Sequence, residues 1–169
     1  ITVKNADANS IVSLIHKLRE ISCKITVKND KIYIASKERR SPKLVETMPY
    51  PGFPTDLQAP MTALASISEG STLIVENLFE TRFKHVPELI RMGADITVRG
   101  RTAFVRGVKR LHGADVVAGD LRGGAALTLA AVSADGLSTV TDLSHIDRGY
   151  SDFEYKLSGL GAKIRRVRI

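Results

Sequence analysis

The chain has 169 residues, of which 43% are hydrophobic and 25% are charged, and this balance excludes intrinsic disorder. Its single cysteine excludes an internal disulfide and a cysteine-based metal cluster, so we expect a protein of the reducing cytoplasm. The formal net charge of +7 indicates an anionic partner, which could be a nucleic acid, a membrane surface or a phosphorylated small molecule. The most apolar run, residues 125–131, is much shorter than the ~20 residues of a membrane helix, which predicts no membrane partner.

Three helix ends resemble one another, and each is followed by a predicted strand. They occupy residues 16–25, 88–96 and 156–164, and the turn position after the helix is Ser22, Gly93 and Gly161, respectively. These turn positions are 71 and 68 residues apart, which indicates a repeating unit of about seventy residues. We place the repeats at approximately residues 1–46, 47–112 and 113–169.

The first repeat combines a helix with a predicted hairpin. Residues 24–35 predict two strands that turn at residues 29–30. Cys23 lies between the helix and the hairpin, where we expect a small buried thiol. The basic loop that follows, residues 37–43, has no aromatic residue among its cations, which favours a solvated loop over a platform for single-stranded nucleic acid.

The second repeat opens with a stiff arm, residues 48–56, that contains three prolines. The arm delivers Asp56 to the start of a predicted helix. Two interpretations of Asp56 remain open at this point: a simple N-cap, or a carboxylate presented for chemistry. A strand over residues 72–76, a helix with Pro87 in its first turn and a hairpin over residues 95–106 complete the repeat.

The third repeat follows the same order. Asp120 opens a helix that stops before Gly136, and residues 138–142 form the next predicted strand. Ser151 and Glu154 predict a capping box at the helix that follows. Each repeat therefore contains helix, strand, helix and paired strands, and this order predicts an α/β fold with helices packed on sheets.

Three arginines occupy loop or first-turn positions in these repeats. Arg82 and Arg148 follow strands, and Arg122 lies in the first turn of a helix, where a cation opposes the helix dipole. They could form a guanidinium cluster for a carboxylate or phosphate group, or be three independent surface residues. The histidines show no metal-ligand spacing, so we predict no metal site and interpret them as surface or packing residues: His16, His85, His112 and His145.

Six segments of the sequence form an ordered set of motifs. Their order and spacing resemble the UDP-N-acetylglucosamine enolpyruvyl transferases, the first committed enzymes of peptidoglycan synthesis. The resemblance is strong over residues 47–169 and looser over residues 1–36. The segments are FPTDLQA at 53–59, ENLFETRF at 76–83, HVPEL at 85–89, MGA at 92–94, DLR at 120–122 and HIDRGY at 145–150.

The resemblance implies one lobe of an inside-out α/β barrel, built from βαβαββ units of about seventy residues. Residues 1–169 would form a single domain, the C-terminal part and most of one lobe of a two-lobed enzyme, with the N-terminal lobe as its partner. The implied reaction transfers enolpyruvate from phosphoenolpyruvate to the 3-hydroxyl of UDP-N-acetylglucosamine in the cytoplasm, and it needs no cofactor. No nucleic acid is expected as a partner.

The resemblance also assigns roles to five residues. Asp56 would take the proton from the sugar 3-hydroxyl, and Arg148 would contact phosphoenolpyruvate, which makes these two the expected catalytic residues. Arg82 and Arg122 would line the anionic cleft. Leu78 would offer backbone contacts to the sugar.

Other catalytic groups of the resembled family lie in segments that this sequence does not contain. They are an N-terminal lysine and a loop cysteine or aspartate, and Cys23 is not that cysteine. We therefore expect the chain alone to be inactive and able to self-associate. Two alternatives stay open: a shikimate-phosphate enolpyruvyl transferase, from which residues 53–58 and 145–150 point away, and a basic αβ-repeat module that binds nucleic acid.

Overall fold

The computed structural model describes residues 1–167. Short 3₁₀ turns at Ala8–Ile11 and Thr55–Leu57 precede two of the helices. In that part of the chain no helix has the length and apolar character needed to cross a bilayer. The helices are α1 (Val12–Glu20), α2 (Gln58–Ser66), α3 (Val86–Arg91), α4 (Leu121–Ser133), α5 (Ser144–Asp147) and α6 (Phe153–Gly159). The strands are β1 (Thr2–Val3), β2 (Lys24–Lys28), β3 (Lys31–Ala35), β4 (Leu44–Glu46), β5 (Ser71–Val75), β6 (Asp95–Arg99), β7 (Thr102–Arg106), β8 (Asp115–Val117) and β9 (Thr139–Thr141).

The second repeat is a complete βαβαββ unit that runs from β4 to β7. Its sheet has the order β4-β5-β7-β6, in which β4 and β5 are parallel and the other neighbours are antiparallel. The predicted α/β class is therefore confirmed. The unit begins at Leu44, which pairs with Leu73 of β5, so the structure starts the second repeat three residues earlier than the predicted position 47.

Both predicted hairpins are confirmed. The last residue pair between β2 and β3 is Lys28 with Lys31. The last pair between β6 and β7 is Arg99 with Thr102, so each hairpin has a two-residue turn. The turns require a left-handed backbone, which Asn29 (φ 53°) supplies in the first hairpin and glycine in the second. β1 adds a third strand to the first hairpin by pairing with β3.

The third repeat contains the predicted helix α4 and the parallel strands β8 and β9, but two predictions for it are wrong. Ser151 and Glu154 form no capping box, because Asp152 precedes α6 in a left-handed conformation (φ 52°) and no side chain caps that helix. Residues 162–167 form no strand. In the second repeat β6 pairs only with β7, and the described residues of the third repeat contain no counterpart of β7.

The main core joins the second and third repeats. α2 and α4 pack closely against each other because their buried faces consist largely of small residues, and fully buried side chains of β4, β5 and β7 cover them. A separate smaller cluster, which includes Ile15, Ile25 and Ile32, lies under the first repeat. Cys23 packs against that cluster but is only half-buried, because it stands at its margin. The pairing of α2 with α4 places the N-terminal ends of these two helices side by side.

Candidate functional site

Asp56 lies between two arginines that come from distant parts of the chain. Its Oδ1 accepts a hydrogen bond from Arg82 Nη2 at 2.9 Å, and its Oδ2 accepts one from Arg122 Nη2 at 2.6 Å. The Asp56 side chain is 52% exposed, whereas each arginine side chain is 26% exposed. The structure therefore brings Arg82 and Arg122 together around one carboxylate, and these two are not independent surface residues.

The N-cap interpretation of Asp56 is wrong. Asp56 lies inside the 3₁₀ turn Thr55–Leu57, and α2 starts after Leu57 without any side-chain cap. The same interpretation is right for Asp120, whose Oδ1 accepts a hydrogen bond from the backbone N–H of Gly123 at 2.7 Å. The turn at the end of the proline-rich arm therefore releases the Asp56 carboxylate from helix capping and aims it at the arginines.

The two arginines set the electrostatics of the site. The hydrogen bond from Arg122 is the main cause that holds the pKa of Asp56 below its ordinary value of 3.8; partial burial opposes it, and the charges of Arg122 and Arg82 lower the pKa further. The same hydrogen bond raises the pKa of Arg122. Asp56 is therefore an ionised carboxylate at neutral pH, and its basicity is weak while both arginines bind it.

Aromatic rings support both guanidinium groups. The Arg82 guanidinium lies 4.9 Å from the ring centroid of Phe79, and that of Arg122 lies 5.9 Å from the ring centroid of Tyr150. Asp56 also explains the position of Arg122 in the first turn of α4, because an anion offsets the repulsion between that cation and the helix dipole.

Arg148 follows α5 and is exposed, and no ion pair of residues 1–167 includes it. Its loop nevertheless touches the Asp56 site. Gly149 approaches Leu121 so closely that an added Cβ would lie 2.8 Å from Leu121 Cδ2, and Tyr150 faces Arg122. The structure thus places Arg148 beside the cluster of Asp56, Arg82 and Arg122 but not within it.

Leu78 lies in the loop after β5, on the wall of an open cavity of about 550 Å³. Asp56, Phe79 and Arg82 line the same cavity, together with Tyr50 and its neighbours in the proline-rich arm. The backbone N–H of Leu78 donates to a carboxylate within the protein at 2.9 Å, so this N–H is already occupied. This cavity is large enough to receive a sugar ring.

Glu76, the carboxylate that accepts this hydrogen bond, was not among the residues predicted for the site. It is fully buried and follows β5 directly. The signal was present in the sequence, since Thr72, Ile74 and Glu76 alternate along one face of the strand and the first two are fully buried. An acid at the third inward position is rare unless it has hydrogen-bond partners.

Comparison with known proteins covers nearly the whole chain. The model of the family described as EPSP synthase (3-phosphoshikimate 1-carboxyvinyltransferase) matches residues 1–157. UDP-N-acetylglucosamine 1-carboxyvinyltransferase of Myxococcus xanthus is 48% identical over 166 residues, which are 98% of this chain and 40% of that protein. The enzyme named UDP-N-acetylglucosamine 1-carboxyvinyltransferase 3 of Symbiobacterium thermophilum is 46% identical over 168 residues, 99% of this chain and 40% of that protein. The chain thus spans about 40% of the length of these relatives.

Solved structures show the same fold. The enolpyruvyl transferase NikO from Streptomyces tendae superimposes with a TM-score of 0.83 at 31% identity, over 91% of this chain and 36% of that one. EPSP synthase from Acinetobacter baumannii superimposes with a TM-score of 0.62 at 16% identity, over 83% of this chain and 36% of that one, and this likeness concerns the fold alone. Since the family model matches nearly the whole chain and the fold agrees, the chain belongs to the enolpyruvyl transferase family described as EPSP synthase (3-phosphoshikimate 1-carboxyvinyltransferase).

Proposed function

We propose that this chain is part of an enzyme that transfers enolpyruvate from phosphoenolpyruvate to the 3-hydroxyl of UDP-N-acetylglucosamine and releases phosphate. The observation that carries the proposal is the Asp56 carboxylate between Arg82 and Arg122 at the edge of an open cavity. Relatives at 46–48% identity that carry this enzyme's name favour UDP-N-acetylglucosamine over shikimate phosphate as the acceptor. We place the reaction in the cytoplasm, as a step of peptidoglycan synthesis.

Asp56 acts as the base in this proposal. The sugar hydroxyl oxygen bonds to the central carbon of phosphoenolpyruvate as its proton passes to Asp56, and the electrons of the double bond take up a proton at the methylene carbon, which becomes a methyl group. The tetrahedral intermediate then expels phosphate together with the electrons of its C–O bond, and the methyl carbon loses a proton so that the double bond is restored. An anionic substrate competes with Asp56 for the guanidinium groups of Arg82 and Arg122. When these groups turn to the substrate, the pKa of Asp56 rises toward its ordinary range and the carboxylate becomes a better proton acceptor.

The arginines stabilise negative charge during the addition and the elimination. Arg82 and Arg122 already face the reacting region, and Arg148 stands beside them with its guanidinium free of ion pairs in the described part of the chain. A planar guanidinium binds a carboxylate or phosphate with two parallel hydrogen bonds, which fits both ends of phosphoenolpyruvate. We assign Arg148 to phosphoenolpyruvate and the carbonyl of Leu78 to the sugar.

The remaining groups of the reaction belong to a second lobe in this proposal. The chain is a single domain that forms most of one lobe, and the active site lies in the cleft where the two lobes meet. Asp56, Arg82, Arg122 and Arg148 supply only part of the chemistry, since an ionised carboxylate and three arginines provide no general acid for the methylene carbon.

The test is phosphate release by the full-length protein that contains this chain, measured with phosphoenolpyruvate and each acceptor in turn. We expect release that depends on UDP-N-acetylglucosamine. Release with shikimate 3-phosphate instead, or with neither acceptor, would contradict the proposal. A salt titration of nucleic-acid binding by the same protein is the control for the basic-module alternative, which predicts a steep loss of affinity with salt.

A further inference from the structure

Glu76 is a fully buried carboxylate with four hydrogen-bond donors around it. Oε1 accepts from the Thr47 hydroxyl at 2.9 Å and from the backbone N–H groups of Leu78 at 2.9 Å and Phe79 at 3.1 Å. Oε2 accepts from the Thr55 hydroxyl at 2.8 Å. Within residues 1–167 no cation lies at ion-pair distance from it, so these neutral donors alone offset the cost of burying the charge.

These donors come from three separate segments that border the cavity. Thr47 lies between β4 and the proline-rich arm, and Thr55 lies in the arm one residue before Asp56. Leu78 and Phe79 form the loop on the cavity wall. The Glu76 carboxylate therefore fixes the position of Thr55, next to Asp56, relative to the loop that contains Leu78 and Phe79.

We propose that Glu76 is a positioning residue that holds Asp56 and the backbone of Leu78 in the arrangement that the acceptor sugar requires. The inference rests on the proposed function, because it takes Asp56 as the base and Leu78 as a sugar contact. Glu76 touches neither substrate in this proposal. It acts through Thr55 and through the backbone N–H groups of the loop.

The chemistry of the group explains why an acid occupies this position. All four neighbours donate, and a carboxylate accepts at both oxygens and donates nothing. A glutamine of the same shape would place an NH₂ group against either the Thr55 hydroxyl or the donors on Oε1. The hydroxyl of Thr47 also accepts from the backbone N–H of Asn77 at 2.9 Å, which ties Glu76 to the start of the same loop.

The experiment compares Glu76→Gln, Thr55→Val and Thr55→Ser in the full-length protein, with Glu80→Gln as the matched control. Glu80 lies four residues further along, its side chain is 81% exposed, and it pairs only with Arg101 among the described residues. We expect Glu76→Gln and Thr55→Val to lower kcat/KM for the nucleotide sugar by about 10- to 100-fold, since small displacements of reacting groups have effects of this size. KM for the sugar rises and KM for phosphoenolpyruvate stays unchanged, whereas Thr55→Ser and Glu80→Gln keep parental values.

Two kinetic outcomes overturn the proposal. One is sugar efficiency within about twofold of the parent in both Glu76→Gln and Thr55→Val. The other is a fall in kcat that follows the folded fraction of the protein with both KM values unchanged, because that pattern describes a purely structural role. If Glu76→Gln does not fold, the Thr55 pair alone decides, since both replacements leave the carboxylate in place.

A second readout does not depend on activity. Carbon NMR of the Asp56 carboxyl measures its titration in the parent, in Thr55→Val and in Thr55→Ser, and none of these changes alters a charge. If Thr55→Val lets Asp56 move from Arg122 and Arg82, the pKa of Asp56 rises toward 3.8 in that variant and not in Thr55→Ser. An unchanged titration in Thr55→Val would overturn the positioning role. If the parent protein does not transfer enolpyruvate to the nucleotide sugar, the proposed function is wrong. The titration of Asp56 then still tests the positioning role of Glu76.

Discussion

Asp56 combines a low pKa with partial exposure, and this combination makes a single substitution informative. Asp56→Asn keeps the shape of the side chain and removes its basicity. We expect turnover of the full-length protein to fall by about 100-fold or more, the usual scale for a general base, while circular dichroism shows an unchanged fold. Turnover within about twofold of the parent would reduce Asp56 to a structural partner of Arg82 and Arg122.

Arg148 is expected to depend on the shape of its guanidinium as well as on its charge. Arg148→Lys keeps the charge but cannot reproduce two parallel hydrogen bonds to phosphoenolpyruvate. Steady-state kinetics should show about a 10- to 100-fold loss of kcat/KM for phosphoenolpyruvate, which corresponds to a charge-assisted hydrogen bond of roughly 1.5–3 kcal/mol. The melting temperature should barely move because the residue is exposed. A lysine variant with parental efficiency, or one whose defect follows lost stability, would contradict this role.

At the residue scale the sequence identified charged groups better than it identified their supports. Arg82, Arg122 and Arg148 were selected as a possible cluster for an anion, and Asp56 as either an N-cap or a carboxylate presented for chemistry. The structure brings Arg82 and Arg122 together around Asp56 and leaves Arg148 beside them. Glu76 escaped because its importance depends on contacts with segments 21 and 29 residues away. No local pattern reports which distant hydroxyls will meet a buried acid.

His85, immediately before α3, makes the structure sensitive to acid. It is 2% exposed, and burial lowers the pKa of its imidazole from 6.5 to about 4. The unfolded chain therefore binds one more proton between these values, so stability from this group is complete above about pH 6.5 and is lost as the pH falls toward 4. Chemical denaturation measures the free energy of unfolding across this pH range. As the pH falls from about 6.5 to 4, this free energy should decrease less in His85→Gln than in the parent, with a difference of up to about 3 kcal/mol.

His16 provides the control for this pH dependence, because it is an exposed residue on α1. His16→Gln should show the parental slope of unfolding free energy against pH. Equal slopes for the parent and His85→Gln would mean that the buried imidazole binds its proton in the folded protein.

At the scale of a helix, Asp120 matters because it caps the N-terminus of α4, whereas Asp56 at the corresponding position caps no helix. Asp120→Ala removes the acceptor of the Gly123 N–H, and we expect the free energy of unfolding to fall by about 0.5–2 kcal/mol. Denaturant titration measures this change, and Asp120→Asn, which keeps an acceptor oxygen, should recover most of it. A stability loss equal in both variants would show that the charge, rather than the cap, is what α4 requires.

Elements with strong local signals were predicted well, and those that depend on neighbours were not. The hairpins at residues 24–35 and 95–106 are confirmed because a two-residue turn and alternating strands determine them locally. The capping box at Ser151 failed because Asp152 takes a left-handed conformation and Lys156 Nζ donates to the Ser151 hydroxyl instead. The strand predicted after the third helix end needs a partner strand before it can form, and residues 162–167 form none.

At the scale of the whole molecule, we expect the isolated chain to lack turnover. It contains the proposed base and three arginines but none of the catalytic groups that we assign to a second lobe. A phosphate-release assay of the purified chain with both substrates checks this expectation. Measurable release by the chain alone would contradict it and would mean that residues 1–169 contain a complete active site.

The repeats themselves suggest how one structural unit came to supply opposite charges to one site. The triplets Asp56-Leu57-Gln58 and Asp120-Leu121-Arg122 stand at corresponding helix starts and differ only in their third residue. In the second repeat Gln58 is fully buried and the aspartate is free of capping, whereas in the third repeat the aspartate caps the helix and the third residue reaches across as a cation. Of these two similar triplets, the one in the second repeat therefore supplies the carboxylate, and the one in the third repeat supplies the arginine that binds it. The pair forms because the two helix starts differ both in their third side chain and in their backbone, which holds Asp56 in a 3₁₀ turn but places Asp120 at the cap of α4.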